Sequence, residues 1–178
     1  MTDFEKLRHD MVENHIAARG VRSKYVLDAV RKVPREAFVP KELQEFAYED
    51  TPLPIGEGQT ISQPYIVALM IDILLLNGGE KVLEIGAGSG YAAAVLGEIA
   101  GEVYSIERIG QIASKANSTL QELGYQNVHI LHADGTRGWV EHSPYDAIVV
   151  TAGGPDVPES LKKQLKIGGR LVIPVGSD

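Results

Sequence analysis

Residues 82–91 read Val82-Leu83-Glu84-Ile85-Gly86-Ala87-Gly88-Ser89-Gly90-Tyr91, and the run Ala92-Ala93-Ala94 follows at once. An apolar strand passes into three alternate glycines and then into a helix. Glycine lets the chain turn tightly there and lets a ligand lie against bare main chain. Downstream the pattern repeats. Short apolar runs at 81–85, 102–106, 128–131, 146–150 and 170–173 alternate with helical runs at 91–99, 109–123 and 157–165. Strands that are nearly continuous in apolar residues and alternate with helices predict an α/β fold: a mainly parallel sheet with helices on both faces. Ligands in such sheets sit at the carboxyl ends of the strands.

Upstream, the chain reads as helix and loop. Phe4, Leu7, Met11 and His15 recur at helical spacing, which puts His15 on the packed face. A second run, Tyr25 to Val33, stops at Pro34, and a third begins at about Pro64 with proline in its first turn. Between them, the proline and glycine of Arg35–Pro40 and Thr51–Gly58 predict ordered loop. One domain is expected over 1–178. Residues 1–77 would form a helical N-terminal extension with an active-site loop, and 78–178 the ligand-binding core.

Composition narrows the function. The 178 residues are 44% hydrophobic and 23% charged, as in a globular protein. The net charge of −7 argues against a nucleic-acid partner, whose phosphates call for clustered Lys and Arg. There is no cysteine, which removes disulfides, thiolate metal sites and cysteine nucleophiles and fits a reducing cytoplasm. The longest apolar stretch, Ile66 to Leu76, is broken by Asp72 and is too short to span a membrane. The polar, acidic start Met1-Thr2-Asp3-Phe4-Glu5-Lys6 is unlike a signal peptide. With no Cys and few acids beside His129 and His132, no metal site is expected.

Carboxylates end successive strands. Glu84 lies in the first, Glu107 ends the second, and Ala133-Asp134-Gly135 follows the third. Glu107 is placed to take both hydroxyls of a ribose, and Asp134 to accept from an adenine amino group. A dinucleotide site needs Gly-x-Gly-x-x-Gly to admit its pyrophosphate, yet Tyr91 stands where the last glycine would be. S-adenosylmethionine carries no phosphate, so the spacing favours that cofactor over a nicotinamide. Either carboxylate could instead cap the helix after it.

Together with Gly58-Gln59-Thr60-Ile61-Ser62-Gln63-Pro64, Tyr104-Ser105-Ile106-Glu107-Arg108, Tyr145–Ala152 and Gly168–Gly176, these segments resemble the protein-L-isoaspartate O-methyltransferase family over essentially the whole chain. The resemblance implies a Rossmann-like class I methyltransferase fold. It implies a repair enzyme that methylates the stray α-carboxylate of L-isoaspartyl residues in damaged proteins and peptides, using S-adenosyl-L-methionine and releasing S-adenosyl-L-homocysteine. The ester then recloses to a succinimide, whose hydrolysis returns some normal aspartate. Ser62 matches the family's active-site serine, and the resemblance places Ile61, Ser62, Gln63, Glu84, Gly86, Ala87, Gly88, Ser89, Glu107, Arg108, Asp134 and Gly135 at the cofactor and Thr60 and Ser62 at the substrate. Tyr65 stands where relatives often carry His.

The acceptor chemistry agrees. Methylating cytosine carbon needs a cysteine, and methylating a base amino group commonly uses Asn/Asp-Pro-Pro-aromatic after the fourth strand. Here that position reads Thr151-Ala152-Gly153-Gly154-Pro155-Asp156. A carboxylate of pKa ~3.5 is already ionised at neutral pH, so no general base is required. Alternatives are a methyltransferase acting on a small molecule or RNA, and a cofactor-binding module without catalysis. Ser62, two residues before Pro64, could instead cap the helix that follows. His9 and His142 read as solvated, Trp139 as packing a loop on the sheet, and Lys162, Lys163 and Lys166 as a solvated face.

Only Ser177-Asp178 follow Gly168–Gly176, whereas relatives continue into an antiparallel strand pair that completes a seven-stranded sheet. Five parallel strands are expected, with the fifth, Arg170–Val175, an open edge and no strand beyond it. The chain is then either a fragment of a longer protein or a short form that shields this edge by forming a homo-oligomer or by folding back its N-terminal arm. Weaker cofactor binding follows from the missing pair.

Overall fold

The computed structural model describes residues 2–175. Met1 and residues 176–178 lie outside them, so the expectations placed on Gly176, Ser177 and Asp178 do too. Helix α1, Phe4–Met11, starts where the Asp3 carboxylate accepts from the Lys6 amide at 3.0 Å. It passes into a π-type turn, Val12–Ile16. That wider turn adds a residue to the spacing and shifts the buried face by one. Ile16 therefore points inward and His15 is exposed, contrary to the helical count. Helix α2, Lys24–Lys32, is capped by Ser23 and ends before Pro34.

The segment expected as loop contains a hairpin. Strand β1, Leu53–Gly56, pairs antiparallel with β2, Gln59–Ile61. The turn uses Glu57 (φ 50°) and Gly58 (φ 68°), both left-handed as a tight hairpin requires. The prolines that obscured these strands sit where a two-stranded edge tolerates them. A lone hairpin is marginal in water, but Leu53, Ile55 and Ile61 are buried against the core. Helix α3, Pro64–Ile73, follows, with Pro64 in its first turn.

The remaining strands are β3 (Lys81–Ile85), β4 (Glu102–Glu107), β5 (Val128–His132), β6 (Tyr145–Val150) and β7 (Leu165–Val172). Between them lie α4 (Tyr91–Gly97), α5 (Gly110–Glu122) and α6 (Glu159–Gln164). The five strands form one sheet in the order β5-β4-β3-β6-β7, every pairing parallel. This is the expected architecture, though β7 starts earlier than the apolar run and Val175 joins only by an isolated bridge to Gly154. Gly168-Gly169 hid the start of β7 from an apolar count.

Alternation along the strands splits the core. Val82, Val103, Val128, Ala147 and Val149 pack with α2–α5 and the N-terminal extension. Leu83, Ile85, Ile106, Ile148 and Val150 face Leu161 of α6 and a cluster around Trp139. There the Tyr104 ring stacks on His129 at 4.9 Å and on His142 at 4.1 Å, and meets Trp139 edge-on. Trp139 does pack its loop on the sheet, while His142 is half-buried rather than solvated.

Candidate active site

The strand order reverses between β3 and β6, and a cavity of about 670 Å³ opens over their carboxyl ends. Its floor is the glycine loop. The amides of Gly86 and Ala87 both donate to the Ile106 carbonyl, at 2.8 and 3.0 Å, so the loop bends across the end of β4. Gly86 has φ 97°, and a Cβ there would lie 2.8 Å from Thr151 Oγ1. The Thr151 hydroxyl, at the end of β6, in turn donates to the Gly86 carbonyl at 2.6 Å. Sequence reading passed over Thr151, because only the fold brings it beside the loop.

The carboxylates sit at three neighbouring strand ends. Glu107, 7% exposed, accepts from the Gly88 amide at 2.9 Å and from the Ile109 amide at 3.0 Å. It ties the glycine loop to the turn after β4; Ile109 occupies the position preceding α5, and no side chain caps that end. Asp134 is exposed and accepts from both the amide and the hydroxyl of Thr136, which hold its carboxyl below the usual carboxylate range. It thus caps a short 3-10 turn, Gly135–Arg137, and still lines the cavity. Glu84 is fully buried. Burial pushes its pKa up to about 8, the Ser105 hydroxyl donating to it works the other way, and the charge of Glu107 adds to the rise. Its second oxygen, Oε2, is buried without a hydrogen-bond partner among the described residues.

The roof is the hairpin and α3. Thr60, Ile61 and Ser62 line the cavity with Ile66 and Met70. Ser62 is exposed, and its hydroxyl caps nothing: Gln63 precedes α3 and makes no cap bond, and the first-turn amide of Tyr65 donates to the Asp50 carboxylate at 3.0 Å. Its carbonyl accepts from Arg35 at 2.9 Å. Of the residues expected at the cofactor, Ile61, Ser62, Glu84, Gly86, Ala87, Gly88, Ser89, Glu107, Arg108, Asp134 and Gly135 all line this one cavity. Gln63 does not; its side-chain amide donates to Asp50 at 2.7 Å, and Asp50 does not line the cavity either. Ser89 also accepts from the Tyr91 amide at 3.2 Å, so it caps α4 from within the loop. Arg35 and Asp50, which anchor the roof, were not legible, since neither stands in a motif.

The donor set suits a cationic, phosphate-free ligand. Glu107, Asp134 and Asp156 line the cavity against the single cation Arg108, with Glu84, which burial keeps protonated at neutral pH, beside them. A pyrophosphate would meet these carboxylates, whereas a sulfonium with a ribose and adenine finds acceptors for its charge and hydroxyls. The unpartnered Glu84 oxygen is a further buried polar atom in the cavity wall open to a hydrogen bond.

Sheet order, glycine loop and acidic cavity together define a Rossmann-like class I methyltransferase fold. Residues 6–178 match the model of the protein-L-isoaspartate(D-aspartate) O-methyltransferase family, and the chain belongs to that family. It is 64% identical over 177 residues to protein-L-isoaspartate O-methyltransferase 1 of Rhodopseudomonas palustris strain HaA2, covering 99% of this chain and 72% of that one. Among solved structures, a protein-L-isoaspartate O-methyltransferase superposes with TM-score 0.84 at 37% identity, covering 96% of this chain; this chain spans 55% of that protein's length. A Plasmodium falciparum protein of the same kind, solved in complex with S-adenosyl-L-homocysteine, gives TM-score 0.81 at 25% identity, covering 100% of this chain and 86% of that one.

Proposed function

We propose that this chain methylates the α-carboxylate of L-isoaspartyl residues in damaged proteins and peptides, with S-adenosyl-L-methionine as donor. The observation that carries the proposal is the seating of Ser62, which caps no helix, over a glycine-lined acidic cavity in a chain of this family. When bound, the cofactor would supply an electrophilic methyl on a sulfonium for the acceptor carboxylate oxygen to take, the electron pair of the broken carbon–sulfur bond being left on sulfur.

The chain's own residues orient and desolvate. Glu107 accepts from the ribose hydroxyls, Asp134 and Gly135 border the adenine, and the loop Gly86–Ser89 lets the cofactor lie against main chain. Arg108 and Ile61 wall the same site, and Gln63 supports the wall through Asp50. Ser62 donates to the acceptor carboxylate, with Thr60 beside it on the substrate side. No residue need take a proton, because the acceptor is ionised at neutral pH. Opposite charges merge toward the transition state, so excluding water beneath the roof favours transfer.

No helix among the described residues is long and apolar enough to cross a membrane. The net charge of −7 supports protein rather than nucleic acid as the partner. A cytoplasmic location and self-association through the open β7 edge belong to the same proposal. The deciding assay offers an isoaspartyl peptide beside its aspartyl twin. Methyl transfer to the first alone supports the proposal. Transfer to neither, with the cofactor bound, points to a binding module, and transfer to both removes the repair function.

A further inference from the structure

Arg35 is wholly buried, yet it forms no ion pair among the described residues. Burying an unpaired cation is costly unless its donors are used. Its Nε donates to the Ala47 carbonyl at 2.7 Å and its Nη2 to the Ser62 carbonyl at 2.9 Å. The guanidinium also lies 4.8 Å from the centre of the Tyr91 ring, at the residue that opens α4 after the glycine loop. One side chain thus joins the N-terminal extension, the Ser62 segment and the end of the glycine loop.

Asp50 grips the same segment from the other side. It accepts from the Gln63 side chain at 2.7 Å and from the Tyr65 amide at 3.0 Å. Arg19 holds Asp50 in turn at 2.7 Å and lies over the Tyr65 ring at 3.6 Å. The backbone from 62 to 65 is therefore fixed at both ends, and of its four residues only Ser62 is exposed. Neither Arg35 nor Asp50 lines the cavity.

We infer that Arg35 and Asp50 are positioning residues that clamp residues 62–65 and thereby aim the Ser62 hydroxyl into the cavity. The inference rests on the proposal that Ser62 works at the acceptor carboxylate. It gives the N-terminal extension a task beyond packing: to carry the clamp that sets the roof over the cofactor loop. The two grips divide the work. Arg35 ties Ser62 to the glycine-loop side through Tyr91, and Asp50 fixes where α3 begins.

The test compares Arg35→Met, Arg35→Lys, Asp50→Asn, Ser62→Ala and the double variant Arg35→Met/Ser62→Ala, with Arg8→Met as control. Arg8 bonds Tyr48 and Glu36 in the same extension, with no bond to the segment. Amide hydrogen exchange should rise about tenfold or more at residues 61–66 in Arg35→Met, and not in Arg8→Met even at equal loss of melting temperature. Turnover of an isoaspartyl peptide should fall ~10- to 100-fold with cofactor affinity within about twofold, since misplacement and not binding is at fault. Arg35→Lys should recover part of the turnover. In the double variant the loss should be no larger than in Ser62→Ala, because the clamp acts through that serine. Exchange at 61–66 no faster than in the control, or losses that multiply in the double variant, overturns the inference. If Arg35→Met does not fold, Arg35→Lys and Asp50→Asn carry the same readouts. Unchanged turnover in Ser62→Ala with raised exchange in Arg35→Met sinks the role of Ser62 itself, and the aiming of its hydroxyl with it.

Discussion

Glu84 carries the clearest pH signature of any single residue here. Its folded pKa of about 8 lies above the ~4.3 of an exposed glutamate. Between those values the folded state holds a proton that the unfolded state has lost. The contribution of Glu84 is thus most favourable below the unfolded value and is lost as pH rises toward the folded one. Glu84→Gln should therefore gain melting temperature relative to the parent as pH goes from 5 to 8; an advantage that stays flat or shrinks would show that Glu84 is ionised in the fold. Glu107→Gln should weaken S-adenosylmethionine binding by ~1.5–3 kcal/mol in calorimetry, and no loss would place the ribose elsewhere. Ser62→Ala should keep the fold and lower turnover by on the order of 10-fold or more. A lower melting temperature with full turnover per folded molecule would make Ser62 a structural residue. These residues were legible because each sits inside a local motif. Arg35 was not, since its partner carbonyl lies 27 residues away and only the fold brings it near.

At the scale of elements, what could be read depended on how buried and how long each one is. Strands β3, β4 and β6 are covered on both sides, so their apolar runs are nearly continuous, interrupted inside β3 and β4 by Glu84 and Ser105, and the parallel sheet follows from them. The β1–β2 hairpin is short and edge-like, with proline and glycine in it, and nothing local separates it from a loop. The π-type turn at Val12–Ile16 defeats helical counting for a different reason: it changes the period itself. The glycine loop is the element most exposed to substitution. Gly86→Ala meets both a left-handed φ of 97° and the Thr151 hydroxyl at 2.8 Å, while Gly124→Ala meets a φ of 82° with nothing within 4 Å. Strain of ~1–3 kcal/mol is common to both. Gly86→Ala should lose more stability than Gly124→Ala in denaturant titrations and should lose cofactor binding as well. Equal losses would mean that the contact with Thr151 relaxes at no cost.

The whole molecule is asymmetric at its sheet edges. β7 pairs with β6 on one side and has no other strand neighbour among the described residues. Ile167, near its middle, is fully exposed at 107% of its reference area, and Val175 beyond it is 66% exposed. A row of unpaired backbone groups beside exposed apolar side chains is a template for another strand. The Rhodopseudomonas palustris relative is longer than the stretch matched here, this chain covering 72% of it. For the chain of 178 residues, the open edge predicts self-association through β7. Sedimentation should give a mass that rises with concentration across the micromolar range, and Ile167→Lys should return it to a monomer, because a charge on an edge strand opposes pairing. The same substitution should leave cofactor affinity unchanged, since Ile167 does not line the cavity. A monomer at every concentration would exclude edge pairing as the way this chain satisfies β7, and association that survives Ile167→Lys would move the interface to another face.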